Sequence, residues 1–262
     1  MRNYLLGFRL PGLCLISSVS LLACKSGGAP AGAPPASPDQ QGGQHHGSQH
    51  PHGQHPAGDG PHGHGSHHGL HKDFSDTEAF AKAFDDPARD AWQRPAEVVE
   101  LMRIEPGSVV ADLGAGTGYF VGWLSRAVGE QGKVLALDVE PKMIERLAQR
   151  AEQQGLRNVT PRLVPLDDPQ LQPGSVSRVL IVNTWHHIDD RSRYAAKLAP
   201  ALAAGGEIWI VDFTLESDMG PPARFRLAPE QVLSELQGGG LRAEVVAGEQ
   251  LPKQYIVRAF RP

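Results

Sequence analysis

A glycine-rich turn between a short apolar run and a helical pattern constrains this chain more than any other feature. The run Val109–Leu113 has the length and composition of a buried strand. Glycines follow it at three alternate positions, Gly114, Gly116 and Gly118, and a helical pattern begins at Tyr119. Such glycines let a ligand approach the backbone without a Cβ atom in the way, and ligands of open α/β sheets bind at the carboxyl ends of strands. The segment therefore predicts a strand, a ligand-binding turn and a helix.

The turn differs from two common phosphate-binding turns. A dinucleotide fingerprint would carry its third glycine where Tyr119 stands, and the Gly-Lys-Ser/Thr of a P-loop is missing. An acid, Asp112, stands two residues before the first glycine and favours a ligand-binding turn. The alternative is a simple strand–helix connector.

A second acid ends the next predicted strand, Val134–Asp138. A carboxylate at this tip can accept hydrogen bonds from both hydroxyls of a ribose. The alternative is that Asp138 caps the helix that begins at Pro141. The glycine turn upstream favours ribose binding.

Strands and helices alternate from Lys72 to the end of the chain, which predicts an α/β fold. Strands are predicted at Val109–Leu113, Val134–Asp138, Val159–Val164, Val179–Asn183, Glu207–Phe213, Leu241–Ala247 and Gln254–Phe260. Helices are predicted at Thr77–Phe84, Arg94–Met102, Tyr119–Val128, Pro141–Gln154, Arg191–Leu202 and Pro229–Gln237. Such alternation gives a doubly wound, mostly parallel sheet with helices on both faces.

In this order of motifs, residues 95–260 resemble the class I S-adenosylmethionine-dependent methyltransferases, of the type 11/25-like group. The family's Asp-x-Gly-x-Gly-x-Gly loop and its strand-two acid are matched by residues 112–118 and by Asp138. Three further segments match in the same order: Pro173–Leu180, Asn183–Ile188 and Leu202–Glu207. The resemblance implies a Rossmann-like sheet of seven strands with an antiparallel last strand.

The resemblance also implies S-adenosylmethionine as cofactor and a small-molecule methyl acceptor. The residues implied for cofactor binding are Asp112, Gly114, Ala115, Gly116, Gly118, Asp138, Val139, Asp167 and Asn183. Asp167 stands near the family's adenine-binding acid, with Asp168 as the alternative, although the usual Gly-Asp-Ala is missing there. Thr184 and Trp185 follow Asn183, so the Asn-Pro-Pro-Tyr motif of DNA-adenine and protein-glutamine methylases is absent from this position.

Two histidines follow the fourth core strand, where the resemblance puts the reacting methyl group. His186, the first candidate, or His187 could accept a proton from the acceptor, whereas a structural histidine would donate to a nearby carbonyl. The segment Asp86–Pro95 is expected to form a lid in which Arg89 and Trp92 contact substrate, or else a solvated turn anchored by one aromatic ring.

The N-terminus has the pattern of an export signal. Positive residues precede the apolar stretch Leu10–Ala23, which is shorter than the ~18–20 residues of a spanning helix. The sequence Leu21-Leu-Ala-Cys24 resembles the lipobox of bacterial lipoproteins, which implies a signal peptide over 1–23 and lipidation of Cys24. By the same resemblance, Lys25 after the cysteine implies sorting to the outer membrane of a Gram-negative envelope. An ordinary secretory signal is the alternative.

Residues 24–71 predict a disordered tether before a methyltransferase domain at 72–262. Ten of the 12 histidines lie between His45 and His71, among small and polar residues that cannot offset their backbone entropy by burial. The tract is a hydrophilic spacer, or it binds a divalent metal weakly through imidazoles. The candidate ligands are His45, His46, His62, His64, His67 and His68. The formal net charge of −4 excludes nucleic-acid binding driven by overall basicity.

Two functions are consistent with these patterns. The first is a lipid-anchored methyltransferase, and the second is a non-catalytic methyltransferase-fold lipoprotein that binds a ligand or a metal through its tether. Asp112 and Asp138 with the intact glycine turn favour the enzyme. An exported enzyme would need a cofactor that is made in the cytoplasm.

Overall fold

A computed structural model describes residues 86–246 and 251–262. The predicted signal peptide, Cys24, the tether with its metal ligands and the predicted helix Thr77–Phe84 lie outside the described residues. The start of the predicted domain at residue 72 lies outside them as well.

Seven strands form one sheet at the centre of the described region. They are β1 Val109–Leu113, β2 Lys133–Asp138, β3 Val159–Leu163, β4 Val176–Val182, β5 Leu202–Phe213, β6 Arg242–Val245 and β7 Gln254–Phe260. Their spatial order is β3-β2-β1-β4-β5-β7-β6. The pairs from β3 to β5 are parallel, and β7 is antiparallel to both neighbours. The predicted fold class is confirmed, and the strand order reverses between β1 and β4.

Six α-helices accompany the strands within the part of the chain that the structure describes. They are α1 Asp90–Gln93, α2 Pro95–Leu101, α3 Val121–Val128, α4 Pro141–Gln153, α5 Arg191–Leu198 and α6 Pro229–Gly238. Proline opens α2, α4 and α6, where its missing N–H costs no hydrogen bond. None of the helices in residues 86–246 and 251–262 is long and apolar enough to cross a membrane.

The largest difference between a predicted and an observed helix boundary lies at the end of α5. The pattern predicts a helix over Arg191–Leu202, but α5 ends at Leu198 and a 3₁₀ turn, Ala199–Ala201, follows it. Pro200 lacks an N–H and would clash with the preceding helical turn, so the α-helix cannot continue through it. The buried Leu202 instead begins β5, which is five residues longer than predicted.

Apolar side chains cover the sheet on both faces, as the sequence of β1 illustrates. Val110 packs in one buried cluster with α2, α3 and α4, whereas Ala111 and Leu113 pack in another with α5 and α6. Burial on both faces explains why the parallel strands are almost continuously apolar. Two acids, Asp112 and Asp138, lie at the carboxyl ends of β1 and β2.

Candidate active site

A cavity of about 550 Å³ opens at the carboxyl ends of β1, β2 and β4. This is the point where the strand order reverses, which is the usual ligand site of an open α/β sheet. Its volume lies within the range of small-molecule sites. Of the predicted cofactor-binding residues, those on the cavity wall are Asp112, Gly114, Ala115, Gly116, Asp138, Val139, Asp167 and Asn183.

The glycine turn is held tightly between two neighbouring strands. Gly114 N and Ala115 N donate to the Leu137 carbonyl at 2.8 and 3.0 Å. Gly114 has a φ of +72°, and a Cβ atom there would lie 2.3 Å from Thr184 Oγ1. This position therefore requires glycine for its backbone angle and for its close approach to the segment after β4. The resulting turn presents backbone to the cavity.

Gly118 does not lie on the cavity wall, contrary to the predicted cofactor role. It has a φ of +84°, and a Cβ atom there would lie 3.1 Å from Val121 and 3.2 Å from Leu147. Its glycine character thus serves the packing of the turn against α3 and α4.

Asp138 lies at the end of β2 with both carboxylate oxygens engaged by the backbone. Oδ2 accepts from Gly116 N at 2.8 Å and Oδ1 from Glu140 N at 2.9 Å. Each oxygen keeps a further lone pair, so the two could also accept from a pair of hydroxyls. Burial raises the pKa of Asp138 above its usual value. Glu140 caps α4 by accepting from Lys142 N at 3.4 Å, so the alternative role of Asp138 as the side-chain cap is not observed.

Asp112 is buried at the base of the cavity, at the end of β1. Burial, and next the negative charge of Asp138, raises the pKa of Asp112 to about 7, while the positive charge of Arg89 lowers it. A cationic ligand in this cavity would therefore favour the ionised form of Asp112.

The segment before α2 forms part of the wall through Arg89. Its guanidinium lies 4.0 Å from the centre of the Tyr119 ring and reaches the cavity. Its Nε and Nη2 atoms donate to Gln93 Oε1 at 3.2 and 3.1 Å. Trp92 is not on the cavity wall and instead packs its ring 5.7 Å from that of Phe213. Of the two residues predicted to contact substrate, Arg89 alone faces the cavity.

The structure separates the two histidines that follow β4. His187 lies on the cavity wall, whereas His186 is buried beside it and off the wall. His186 Nδ1 lies 2.9 Å from both carboxylate oxygens of Asp212. The ring centres of the histidines are 4.2 Å apart. Of the two candidates, His187 therefore faces the cavity, and the pair with Asp212 holds the ring of His186 off the wall.

Asn183 lies on the wall with its side-chain amide already in use. Its Oδ1 accepts from Gln254 Nε2 at 2.5 Å, and its Nδ2 donates to Gln93 Oε1 at 3.4 Å. Its φ of +52° places it in the left-handed region. The predicted contact between the Asn183 side chain and the cofactor would have to compete with these two bonds.

The two candidate adenine acids are separated by the structure. Asp167 lies on the cavity wall and Asp168 does not. Asp167 is exposed and pairs with Lys197 at 3.2 Å, which lowers the pKa of its carboxyl group. Asp168 accepts from Gln170 N at 2.8 Å within its own turn. Asp167 remains the predicted adenine contact.

Four contributors to this region went unnoticed in the sequence: Gln93, Thr184, Asp212 and Gln254. Asp212 carried a usable signal, since it is an acid near the end of a predicted parallel strand. Gln93 and Gln254 are 161 residues apart and carried none. In the described residues, no group of three or more His, Cys, Asp or Glu side chains could hold a metal ion.

Comparison with known proteins agrees with this geometry. Residues 110–206 match the family model of a methyltransferase domain. A ubiquinone/menaquinone biosynthesis C-methyltransferase of Hydrogenovibrio crunogenus is 25% identical over 171 residues, which are 65% of this chain and 64% of that protein. The aklanonic acid methyltransferase of a Streptomyces species is 28% identical over 142 residues, 53% of this chain and 64% of that protein. This chain thus spans under two thirds of either relative.

Solved structures give the same picture. The crystal structure of a SAM-dependent methyltransferase from Aquifex aeolicus has a TM-score of 0.65 and 27% identity, covering 69% of this chain and 96% of that chain. A Nostoc punctiforme structure described as a putative O-methyltransferase shares the fold, with a TM-score of 0.59 and 18% identity over 74% of this chain and 62% of that chain. These likenesses and the matched domain support a class I methyltransferase.

The cofactor implied by the matched methyltransferase domain and the fold is S-adenosylmethionine, and the residues present fit it. Gly114 leaves a backbone surface that a Cβ atom would fill. Asp138 offers two carboxylate oxygens at a strand end, and Asp112 adds a buried acid suited to a cationic ligand. The exposed apolar side chains of Val139 and Leu166 extend the wall beyond Asp138.

Proposed function

We propose that this protein transfers the methyl group of S-adenosylmethionine to a small-molecule acceptor in the cavity at β1, β2 and β4. The observation that carries the proposal is the placement of Asp138, fixed by Gly116 N and Glu140 N beside the glycine turn. In this proposal Asp138 binds the ribose hydroxyls, and Val139 and Asp167 lie along the adenine. Asp112 and Arg89 then face the charged amino-acid tail.

The bound cofactor supplies a methyl group that is already activated by its attachment to a positively charged sulfur. The main task of the protein is therefore to hold the acceptor atom close and in line, which can supply several kcal/mol. His187 is the wall residue best suited to accept a proton from the acceptor. The ring of His186, fixed by Asp212, supports the ring of His187 from behind.

The acceptor we propose is a largely apolar small molecule with one ionisable group. Several apolar and aromatic side chains line the cavity: Tyr119, Phe120, Met143, Leu166, Ile188 and Tyr194. The named relatives belong to quinone biosynthesis and to aklanonic acid methylation, which favours an acceptor of this kind. His187 would then face the ionisable group.

The test of the proposal is calorimetry of the full chain with S-adenosylmethionine. We expect binding to the wild type, and absence of binding at millimolar cofactor would contradict the proposal. Asp138→Ala should weaken binding tenfold or more, about the loss of a charge-assisted contact, with an unchanged circular dichroism spectrum. The control is Asp218→Asn, which alters an exposed carboxylate outside the cavity and should leave binding unchanged.

We also propose that residues 1–23 direct export and that Cys24 carries the lipid anchor, at the outer membrane of a Gram-negative envelope. The support is the lipobox-like Leu21–Cys24. Mass spectrometry of the mature N-terminus should find acyl groups on Cys24, and an unmodified N-terminus would contradict the anchor. Weak binding of a divalent metal by the tract His45–His71 is a separate proposal. Titration with Ni²⁺ should show more uptake than in a chain lacking residues 45–71, and equal uptake would contradict it.

A further inference from the structure

Three side-chain amides from distant parts of the chain form a closed ring next to the cavity. Gln93 Nε2 donates to Gln254 Oε1, and Gln254 Nε2 donates to Asn183 Oδ1 at 2.5 Å. Asn183 Nδ2 closes the ring by donating to Gln93 Oε1 at 3.4 Å. The ring ties α1 to the end of β4 and to the start of β7. The segment before α2 is thereby fixed to the sheet.

Asn183 lies on the cavity wall itself, and Gln93 contacts a second wall residue, Arg89. The Gln93 side chain is fully buried, and its Oε1 atom accepts from Asn183 and from both Nε and Nη2 of Arg89. A buried acceptor of several N–H groups holds them in one geometry, because each lost bond would leave a desolvated polar atom. Gln93 therefore restricts the direction of the Arg89 guanidinium, together with the Tyr119 ring beneath it.

The charges of the cavity show which end of a ligand Arg89 would meet. Two arginines, Arg89 and Arg193, contribute to the wall. The charge of Arg193 acts on Asp167, beyond the end of β2, whereas the charge of Arg89 acts on Asp112, below the glycine turn. In the orientation proposed above, a ligand whose ribose lies on Asp138 has its base on the Asp167 side. Its opposite end, which in S-adenosylmethionine is a zwitterionic amino acid, lies on the Arg89 side.

We infer that Gln93 is a positioning residue that aims Arg89 at the carboxylate of the cofactor's amino-acid tail. The inference rests on the proposed function and adds to it a device for recognising that tail. Arg89 supplies the charge-assisted hydrogen bonds, and Gln93, held by Asn183 and Gln254, keeps the guanidinium from turning towards solvent. The same guanidinium also limits the rise of the Asp112 pKa. The ring thus connects the fold of the N-terminal segment to cofactor recognition.

Two adenosine ligands separate this role from general support of the fold. S-adenosylhomocysteine carries the amino-acid tail and 5′-methylthioadenosine lacks it, and calorimetry on the full chain measures the Kd of each. Gln93→Met keeps the side-chain volume and removes both hydrogen-bonding atoms. It should raise the Kd of S-adenosylhomocysteine about tenfold and change that of 5′-methylthioadenosine less than about twofold. The matched control is Glu97→Gln, an exposed substitution on the neighbouring α2, which should change neither Kd.

A double-mutant cycle tests whether Gln93 acts through Arg89. Arg89→Met should also weaken the binding of S-adenosylhomocysteine selectively. The double variant should bind it no more weakly than Arg89→Met alone, because both substitutions remove the same interaction. Independent, multiplicative effects would overturn the inference. Equal weakening of both ligands by Gln93→Met would overturn it too, since a purely structural role does not distinguish the tail.

If Gln93→Met does not fold, as judged by circular dichroism, Gln93→Glu provides the same test. Its carboxylate still accepts hydrogen bonds from Arg89, but it competes with the carboxylate of the ligand for the positive charge. Binding of S-adenosylhomocysteine should therefore again weaken, while binding of 5′-methylthioadenosine should not. Unchanged affinity for S-adenosylhomocysteine in this variant and in Arg89→Met would overturn the inference while leaving the proposed function intact. A wild type that binds neither ligand would instead overturn the proposed function, and the inference with it.

Discussion

The imidazole of His186 and the carboxylate of Asp212 form a buried pair, with Nδ1 2.9 Å from both carboxylate oxygens. Their side chains are only 3% and 2% exposed. Asp212 Oδ1 also accepts from Phe213 N at 2.8 Å. The pair joins the end of β5 to the turn after β4, and it fixes the ring against which His187 rests. The arrangement of the cavity wall therefore depends on an interaction outside the cavity.

Asp212→Ala should destabilise the protein by about 1–3 kcal/mol, because it leaves the buried Nδ1 of His186 without its acceptor. Urea unfolding of the full chain measures the change. The control is Asp218→Ala, which removes an exposed carboxylate paired with Lys253 and should change the free energy of unfolding by less than about 0.5 kcal/mol. Equal losses in the two variants would contradict the structural role of the buried pair.

Gly114→Ala and Gly155→Ala separate the strain of a left-handed backbone from a steric clash. The φ angles are +72° and +65°, but a Cβ atom on Gly155 meets nothing within 4 Å while one on Gly114 overlaps Thr184. Both substitutions should cost about 1 kcal/mol or more for the backbone angle. Gly114→Ala should lower the free energy of unfolding more than Gly155→Ala does, and it should also weaken the binding of S-adenosylhomocysteine in calorimetry. If the two variants behave alike, the tight contact with Thr184 is not important.

The pH dependence of stability should reveal Asp112. Its pKa is about 7 in the folded protein and is near 3.9 in an unfolded chain, so the folded state binds the proton more tightly. The free energy of unfolding should therefore fall as the pH rises from about 4 to about 7, by at most about 1.4 kcal/mol per pH unit, and level off above that range.

Asp112→Asn should remove this contribution, because an amide does not titrate. Urea unfolding of the wild type and the variant at several pH values gives the difference between their slopes, in which contributions shared by both chains cancel. A wild type and a variant with parallel pH profiles would show that Asp112 has an ordinary pKa.

Asn158 should stabilise the end of α3 independently of the cavity. Its Nδ2 donates to the carbonyls of Ser125 and Gly129 at 3.0 and 2.8 Å, and its Oδ1 accepts from Ser125 Oγ at 2.6 Å. Asn158→Ala removes all three bonds and should cost about 1–3 kcal/mol in urea unfolding. Ser125→Ala removes one bond and should cost less. Neither variant should change the Kd of S-adenosylhomocysteine, and a change would show that this network extends to the site.

The fold could be predicted well because its signals are local. The strands Val109–Leu113 and Gln254–Phe260 have the predicted bounds, since apolar runs of this length mark strands that are buried on both faces. The largest error occurred where two elements meet without a polar break. The helix ending at Leu198 and the strand beginning at Leu202 were read as one helical pattern, because both ends are apolar and buried.

The sequence by itself determined the elements of the cavity that depend on neighbours along the chain. The glycine turn after β1 and Asp138 at the tip of β2 follow from local patterns, and parallel pairing of β1 with β2 brings them together. Only the tertiary structure decided which of His186 and His187 faces the cavity, since Asp212 on a neighbouring strand makes that choice. Likewise, only the tertiary structure brought Gln93 to Gln254. A buried amide needs a hydrogen-bond partner, and the fold can supply that partner from any distance along the chain.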